Sequence, residues 1–258
     1  MSALFSPVAV LPVYNHEDAT GRVVAGVRAH GLPIILVDDG SSPHCRIVLQ
    51  KLAQQPGITL VTNPQNLGKG GAVSAGLRAA LLAGHTHAFQ IDADGQHTLA
   101  DIPRFLTAAR TSPSALICGQ PVFDQSIPRL RFLSRYFTHV LVWIHTLSFE
   151  IRDSMCGFRV YPLAPVVAVL DSAQLGLRMD FDPELLVRLH WRGQPMQWLP
   201  TRVSYPLDGI SHFRMLEDNL RISWMHVRMF TGMLLRLPII LWRRFPFVHV
   251  SPASRSRS

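Results

Sequence analysis

Residues 88–97 read AFQIDADGQH, a short apolar segment that runs directly into two aspartates. Asp92 and Asp94 are two positions apart where the predicted strand ends, so both carboxylates can reach one hard cation. Oxygen ligands of this kind suit Mg²⁺ or Mn²⁺, and Gln96 supplies a neutral oxygen to the same side. Taken alone, the tripeptide is also typical of a solvated acidic turn; its position directly after an apolar strand favours the cation site.

The segments that surround this motif alternate in the same way. Apolar runs predict strands at residues 8–11, 34–37, 59–62 and 88–91, and helical patterns predict helices at residues 18–29, 46–54 and 71–83. This alternation indicates an α/β fold with a mostly parallel sheet and helices on both faces. Ligands of such sheets bind beyond the carboxyl ends of the strands, so the loops that follow the strands are the candidate functional segments.

Two of these loops carry groups that could recognise a nucleoside. Residues 12–17 (PVYNHE) follow the first strand, and residues 37–42 (VDDGSS) follow the second. An aspartate on this rim can accept hydrogen bonds from the N–H edge of uracil or guanine, and Tyr14 could stack on the base. The alternative for Asp-Asp-Gly-Ser is a plain turn with a helix N-cap.

Residues 63–71 (NPQNLGKGG) follow the third strand and open a helix. Glycines let the backbone approach a phosphate closely, and Lys69 adds a point charge. The spacing fits neither a P-loop nor the dinucleotide-binding pattern G-x-G-x-x-G. A plain glycine-rich turn stays open as the alternative.

The bulk composition limits the classes of protein that remain. The chain has 258 residues, a formal net charge of +8, 48% apolar residues and 16% charged residues. It is too apolar for a disordered chain and too interrupted by charge for a multi-span membrane protein. The charge predicts an anionic partner. Three scattered cysteines form no disulfide framework, and the N-terminus lacks a signal-peptide pattern, so we expect a cytoplasmic setting.

The four loops together resemble the family 2 glycosyltransferases with the GT-A fold, closest to the dolichyl-phosphate mannose synthase-like branch. The strand-end motif of that branch, DxDxQH, corresponds here to residues 92–97. The resemblance implies a GT-A type α/β fold, in which a mostly parallel sheet has a Rossmann-like nucleotide-binding half, and inverting, Mg²⁺- or Mn²⁺-dependent transfer from a UDP- or GDP-sugar. It implies Asp92, Asp94 and Gln96 as the metal site, with Asp94 also catalytic. The implied donor-binding residues are Pro12, Tyr14, Asn15, Asp39, Gly68, Lys69 and Asp92.

Residues 153–159 (DSMCGFR) resemble the D-x-x-x-G-F-R segment that lines the acceptor side in this branch. If the acceptor is a hydroxyl, Asp153 is the candidate general base; if it is a lipid phosphate, Asp153 only positions other groups. The resemblance also implies Arg131, Ser134 and Arg159 as acceptor contacts.

Two further segments match the family more weakly. Residues 181–186 (FDPELL) predict a helix start in which Asp182 caps the helix and Pro183 takes the first helical position. Residues 211–214 (SHFR) resemble a loop that closes over the diphosphate, where His212 could reach the metal or a phosphate.

The C-terminal region predicts amphipathic helices at a membrane interface. Arg214, Arg221, Arg228, Arg236 and Arg243 fall within about 80° on a helical wheel, opposite an apolar face. That face comprises Leu216, Leu220, Val227, Phe230 and Leu234. The pattern predicts that the arginine stripe contacts anionic lipid headgroups. Pro238 should break or kink the helix. A helix packed on the domain with its arginines in water stays open. No apolar run approaches the roughly 20 residues of a membrane span.

These observations together predict a transferase of sugar from a nucleotide donor to a lipid or lipid-phosphate acceptor, on the cytoplasmic face of the membrane. The predicted divisions are a catalytic domain at residues 1–212, an interface region at 213–245 and a disordered basic tail at 246–258. The alternatives are a sugar nucleotidyltransferase, a non-catalytic membrane protein and a nucleic-acid-binding protein. Lysine occurs only at Lys51 and Lys69, which disfavours nucleic acid as a partner.

Overall fold

The computed structural model describes residues 4–123, 129–203 and 214–244, with side chains described at 4–122, 135–203 and 214–242. In these ranges the chain forms a seven-stranded sheet with the strand order β3-β2-β1-β4-β6-β5-β7. The strands are β1 (Pro7–Val13), β2 (Ile34–Asp38), β3 (Ile58–Thr62), β4 (His87–Gln90), β5 (Leu116–Phe123), β6 (Arg159–Pro162) and β7 (Met196–Val203).

Most neighbouring strands of the sheet are parallel. β3, β2, β1 and β4 run the same way, and β5 is parallel to β7. Strand β6 alone runs against both of its neighbours, β4 and β5. The predicted α/β class with a mostly parallel sheet is therefore confirmed. One boundary differs from the prediction: β1 continues to Val13, so Pro12 lies inside the strand, opposite Val37.

Helices cover both faces of the sheet, as predicted. They are α1 (Glu17–Arg28), α2 (Pro43–Ala53), α3 (Lys69–Leu82), α4 (Ile102–Thr111), α5 (Arg129–Thr146), α6 (Leu163–Ser172), α7 (Phe181–Trp191) and α8 (Met215–Arg244). Residues of α1, α2 and α4 share one apolar core, and residues of α3, α6, α7 and α8 share the other. Burial of these two apolar faces against the sheet is the main force that holds the layers together.

Helix α8 docks on the domain through a second apolar face, which the sequence analysis did not identify. Met225, Met229 and Met233 are buried in the core shared with α7. The predicted apolar face is instead exposed: Leu216, Leu220, Val227, Phe230 and Leu234.

The arginine stripe of α8 also requires correction. The Arg228 guanidinium donates a hydrogen bond to Glu184, and Cζ of Arg236 lies 4.8 Å from the centre of the Trp191 ring. Both arginines therefore contact the protein instead of lipid headgroups. The helix continues through Pro238, which does not end it. The side chain of Arg243 lies outside the described residues. In the ranges that are described, no helix combines the length and apolarity needed to cross a bilayer.

Candidate active site

The predicted strand-end groups gather around one cavity beyond the carboxyl end of β4. Asp92, Asp94 and Gln96 all line it, together with residues from four other parts of the chain. Parallel pairing of β1 with β4, in which Val10 lies opposite Gln90, brings the ends of these strands to the same rim. The other lining residues are His97, Pro121, Arg135, Met155, Cys156, Gly157 and Val203.

Asp92 carries two cationic or potentially cationic partners. Its Oδ2 lies 2.9 Å from Lys69 Nζ and 3.5 Å from His97 Nε2. Burial would raise the pKa of the Asp92 carboxyl, but Lys69 and His97 outweigh it and hold that pKa far below its ordinary value. Asp92 is therefore an anion at every physiological pH.

Asp94 lies in a different electrostatic setting. Its Oδ1 accepts one hydrogen bond from the backbone N–H of Gln96, 3.0 Å away. Burial, followed by repulsion from Asp92, raises the pKa of Asp94. Two adjacent carboxylates that disfavour each other's charge are stabilised by any cation placed between them.

The Oδ1 atom of Asp92 shows that the site has unused ligand capacity. This oxygen is buried and accepts no hydrogen bond from the described residues. Gly157 keeps its surroundings open, because a Cβ at that position would lie 2.8 Å from Oδ1 and 2.6 Å from Oδ2. A hard cation with oxygen ligands fits such a carboxylate. Within the described ranges no cluster of three or more His, Cys, Asp or Glu residues is arranged for a metal, so Gln96 or a ligand would have to complete the shell.

The Asp39 carboxylate holds the loop of residues 63–68 in place through hydrogen bonds. One carboxylate oxygen accepts from Asn63 Nδ2 at 2.8 Å and from the Leu67 N–H at 3.0 Å. The other accepts from the Gly68 N–H at 2.8 Å. Asp39 is 2% exposed. The predicted contact of Asp39 with the base stays a prediction; in this conformation the carboxylate is engaged by the loop.

Asn15 and Tyr14 follow β1 at the rim. Asn15 has a left-handed backbone with φ 53°, and its Oδ1 accepts from the Ser42 N–H at 2.8 Å. Its own N–H donates to Ser41 Oγ. These bonds join the loop after β1 to the loop after β2. Tyr14 is half-buried beside them. Pro12 lies two residues before Tyr14, within β1.

Gly68 and Lys69 mark the start of α3. Gly68 has φ 94°, a region that favours glycine, and it precedes the first helical residue. The Lys69 ammonium bridges Asp92 and Asp182, at 2.9 Å and 3.3 Å. Burial would lower the pKa of Lys69, but these two carboxylates raise it, so the side chain stays charged. The loop thus presents a fixed positive charge next to the Asp92 carboxylate.

Asp153 makes a bidentate ion pair with Arg135, which lines the cavity. The Arg135 Nε and NH2 groups donate to the two Asp153 oxygens at 2.8 Å and 2.6 Å. Oδ1 of Asp153 also accepts from the backbone N–H groups of Met155 and Cys156. Both oxygens of Asp153 are therefore engaged by donors within the protein in this conformation. In this conformation Asp153 orients Arg135, and its role as a general base stays a prediction.

Arg159 does not face the cavity, and its predicted acceptor contact must be corrected. It is fully buried, and its guanidinium contacts Asp182, Tyr161 and the carbonyl of Ser154. Asp182 also departs from its predicted capping role. Helix α7 begins at Phe181, so Asp182 and Pro183 are the second and third helical residues, and Asp182 bridges Arg159 and Lys69.

The side chains of Arg131 and Ser134, and the whole of His212, lie outside the described residues. The sequence analysis did not assign site roles to Arg135 or His97, both of which line the cavity. His97 stood in the quoted motif, and Arg135 shares a helical face with Arg131, so a signal for each was present.

Comparisons with known proteins identify the family to which this chain is related. The sequence model described as "Glycosyl transferase family 2" matches residues 8–167. A dolichyl-phosphate beta-glucosyltransferase of Trichomonas vaginalis is 26% identical, over 84% of this chain and 72% of its own length. A UDP-N-acetylglucosamine–dolichyl-phosphate N-acetylglucosaminyltransferase of Methanococcus voltae is 31% identical, over 59% of this chain and 67% of its own.

Among solved structures, glucosyl-3-phosphoglycerate synthase of Mycobacterium tuberculosis in complex with Mn²⁺, uridine diphosphate and phosphoglyceric acid has a similar fold. The TM-score is 0.64 at 17% identity, over 88% of this chain and 78% of that one. This likeness shows a shared GT-A fold.

Proposed function

This chain belongs to glycosyl transferase family 2, and on that basis we propose that it transfers a sugar from a UDP- or GDP-sugar to a lipid phosphate at a membrane surface, with a divalent cation and inversion of the anomeric carbon. One observation carries the proposal. A single cavity is lined both by the Asp92–Asp94 pair and by Arg135. The first pair suits a cation and its diphosphate, and the second suits an anionic acceptor.

Asp92, Asp94 and Gln96 would hold Mg²⁺ or Mn²⁺, which fits the unpartnered Asp92 Oδ1 and the raised pKa of Asp94. Such a cation neutralises the charge that develops on the departing diphosphate. Lys69 adds a fixed positive charge 2.9 Å from Asp92, on the side from which the loop of residues 63–68 approaches. Together these groups favour departure of the nucleoside diphosphate.

The nucleoside would bind against the loops that follow β1 and β2. Tyr14 offers a ring for stacking, while Pro12 and Asn15 shape the rim. Asp39 would act through the loop it holds, which brings Gly68 and Lys69 to the phosphates. A relative named for a UDP-sugar and a neighbour crystallised with uridine diphosphate support a uridine nucleotide.

Arg135 is the residue that favours a phosphate over a hydroxyl acceptor. The Asp153 carboxylate holds the Arg135 guanidinium in a fixed orientation, so the cavity has a cationic group at a defined place in its wall. A phosphate monoester is already ionised near neutral pH, so it needs no general base to attack the anomeric carbon. The names of the Trichomonas and Methanococcus relatives contain dolichyl phosphate, which supports the same class of acceptor.

The exposed apolar surface of α8 supports a peripheral position on a membrane, which we place at the cytoplasmic face. Leu216, Leu220, Trp224 and Leu234 share an arc of about 80° on the helical wheel that contains no charged residue. Glu217 lies just beyond the border of this arc and Arg221 lies about 40° beyond Glu217; both are exposed. An exposed apolar stripe of this kind is typical of helices that lie in the bilayer interface.

The proposal is tested by incubating the protein with UDP- and GDP-sugars, Mn²⁺ and three acceptors: a polyprenyl phosphate, the matching polyprenol and phosphoglycerate. We expect transfer only to the polyprenyl phosphate, with loss of turnover on chelation. Transfer to phosphoglycerate or to the polyprenol would refute the acceptor class. Failure of every nucleotide sugar, with or without acceptor, would refute the activity.

A further inference from the structure

Residues 174–180 connect α6 to α7, and we call them the 174–180 segment. Two residues of α8 hold this segment. Asp218 accepts a hydrogen bond from Arg178 Nε at 3.1 Å, and Arg228 donates to the carbonyl of Gln174 at 3.2 Å. Asp218 is fully buried and also accepts from the Arg214 N–H, next to the first turn of α8. The segment is thus fixed to the beginning and the middle of the C-terminal helix.

The same segment contacts the loop that carries Gly68. The carbonyl of Leu177 accepts from the Gly71 N–H at 3.0 Å, within the first turn of α3. Arg178 NH1 lies 3.4 Å from Asn66 Oδ1. A Cβ on Gly68 would approach Arg178 Cγ to 2.6 Å, so the backbone of Gly68 lies directly against this side chain. The loop is therefore held by Asp39 on one side and by the 174–180 segment on the other.

Among the described residues, Arg178 is the side chain that contacts both helix α8 and the loop of residues 63–68. Its guanidinium joins Asp218 of α8 to Asn66 of the loop, and its stem packs on Gly68. The ion pair with Asp218 is largely removed from solvent, with side-chain exposures of 16% for Arg178 and 0% for Asp218. A charge-assisted bond in such surroundings fixes geometry better than an exposed pair does.

We infer that Arg178 is a positioning residue through which helix α8 holds the loop of residues 63–68 in the conformation that binds the donor diphosphate. This inference rests on the proposed function, because it takes Gly68 and Lys69 as the phosphate-binding residues. Arg178 itself touches neither the cavity nor its carboxylates. The affinity for the donor nucleotide therefore depends on the seating of α8, the helix whose outer face carries the exposed apolar stripe.

The test measures binding of uridine diphosphate with Mn²⁺, and the donor KM and kcat, for the full-length chain. Arg178→Met should weaken nucleotide binding and raise the donor KM about tenfold, the effect of one charge-assisted bond, with kcat changed much less. Arg178→Lys should recover part of the affinity. Arg78→Met is the matched control, since Arg78 makes a comparable Nε–Oδ1 ion pair with Asp171 on the exposed side of α3, 3.0 Å long.

A double-mutant cycle separates positioning from general destabilisation. Asp218→Asn should raise the donor KM in the same direction, and Arg178→Met/Asp218→Asn should be no weaker than Arg178→Met alone, since both remove one connection. Equal nucleotide affinity of wild type and Arg178→Met would overturn the inference while leaving the proposed function intact. So would fully additive effects in the cycle. Absence of Mn²⁺-dependent binding of uridine and guanosine diphosphates by the wild type would instead refute the proposed donor site.

Discussion

The ammonium of Lys69 lies 2.9 Å from Asp92 Oδ2, so the carboxylate that faces the candidate metal site has a cationic partner within the protein. The same ammonium lies 3.3 Å from Asp182, which anchors it from behind. A divalent cation bound to Asp92 would share this carboxylate with Lys69. Lys69 is therefore the residue whose replacement should separate binding of the metal from binding of the donor.

Replacement of Lys69 with Met should have opposite effects on the two ligands. Without the competing ammonium, Asp92 should bind Mn²⁺ more tightly in the absence of nucleotide. The donor KM should rise roughly tenfold or more, because a charged contact to the diphosphate is lost. Electron paramagnetic resonance titration of Mn²⁺ and steady-state kinetics measure the two effects. Weaker Mn²⁺ binding by Lys69→Met would contradict this account of the site.

Replacement of Asp94 with Asn should abolish most turnover. The change keeps the side-chain shape but removes a charge from the pair that would hold the cation, so kcat should fall at least about a hundredfold. Asp171→Asn is the control, because Asp171 lies in an exposed ion pair with Arg78. Mn²⁺-dependent turnover that survives in Asp94→Asn would show that the metal binds elsewhere.

Variants of Asp153 and Arg135 distinguish a general base from a positioning residue. If Asp153 orients Arg135, then Asp153→Asn and Arg135→Lys should both raise the acceptor KM, and the pH profile of kcat should keep its shape. A general base would instead contribute about 10²–10⁴ to kcat and impose its own pKa on the acidic limb. Loss of that limb in Asp153→Asn, with an unchanged acceptor KM, would restore the general-base role.

A buried histidine pair between α5 and α8 should make stability depend on pH. His145 Nε2 lies 2.9 Å from His226 Nδ1. Burial, and for His145 also the neighbouring His226, lowers the pKa of both side chains to about 4. In the unfolded chain these histidines take up protons near pH 6.5. The free energy of unfolding should therefore be at its full value above about pH 6.5 and decrease as the pH falls towards 4.

The measurement for this pair is the Tm of the wild type and of His226→Gln between pH 7.5 and 4.5. The Tm of the variant should fall less across this pH range than the Tm of the wild type, because one buried group no longer takes up a proton on unfolding. His44→Gln, at an exposed position of α2, should behave like the wild type. Parallel Tm curves for wild type and His226→Gln would remove the pair as a source of the pH dependence.

Replacement of Trp224 with Glu should weaken binding to vesicles. Trp224 is 63% exposed in the charge-free arc of α8, and a bilayer interface would bury its indole. Loss of this burial and the added charge should lower partitioning at least about tenfold in flotation with anionic vesicles. Ile47→Glu, at a 64% exposed position of α2, is the control. Equal flotation of Trp224→Glu and wild type would exclude this face of α8 as the membrane contact.

The parts of the fold that local pattern determines were predictable from the sequence. Each of the first four strands is a short apolar run that ends in polar residues, and parallel pairing then brings Asp39, Gly68 and Asp92 to one rim. The cavity around Asp92 and Asp94 follows from that placement alone. The capping prediction for Asp182 was wrong. A local Phe-Asp-Pro pattern cannot show that this carboxylate forms ion pairs with Arg159 and Lys69, which lie on other elements.

The remaining errors came from contacts between distant segments. Arg135 and Asp153 are 18 residues apart, and only the packing of α5 against the cavity shows that they form an ion pair. In α8, Met225 and Met229 form one apolar face and Leu216 and Leu220 form another, with the arginines between them. A helical wheel cannot decide which of two apolar faces docks on the domain, because that choice depends on the shape of the core it meets.

The reversed direction of β6 separates the two halves of the site along the chain. The groups that we propose bind the nucleotide follow parallel strands β1 to β4. Residues 153–158, which we propose line the acceptor side, precede the antiparallel strand β6. Substitutions in residues 129–158 can therefore alter which acceptor is used without rebuilding the loops that hold the nucleotide. Chimaeras that exchange this region between relatives should keep their donor preference and acquire a new acceptor, which makes the scaffold suitable for directed evolution of glycolipid synthesis.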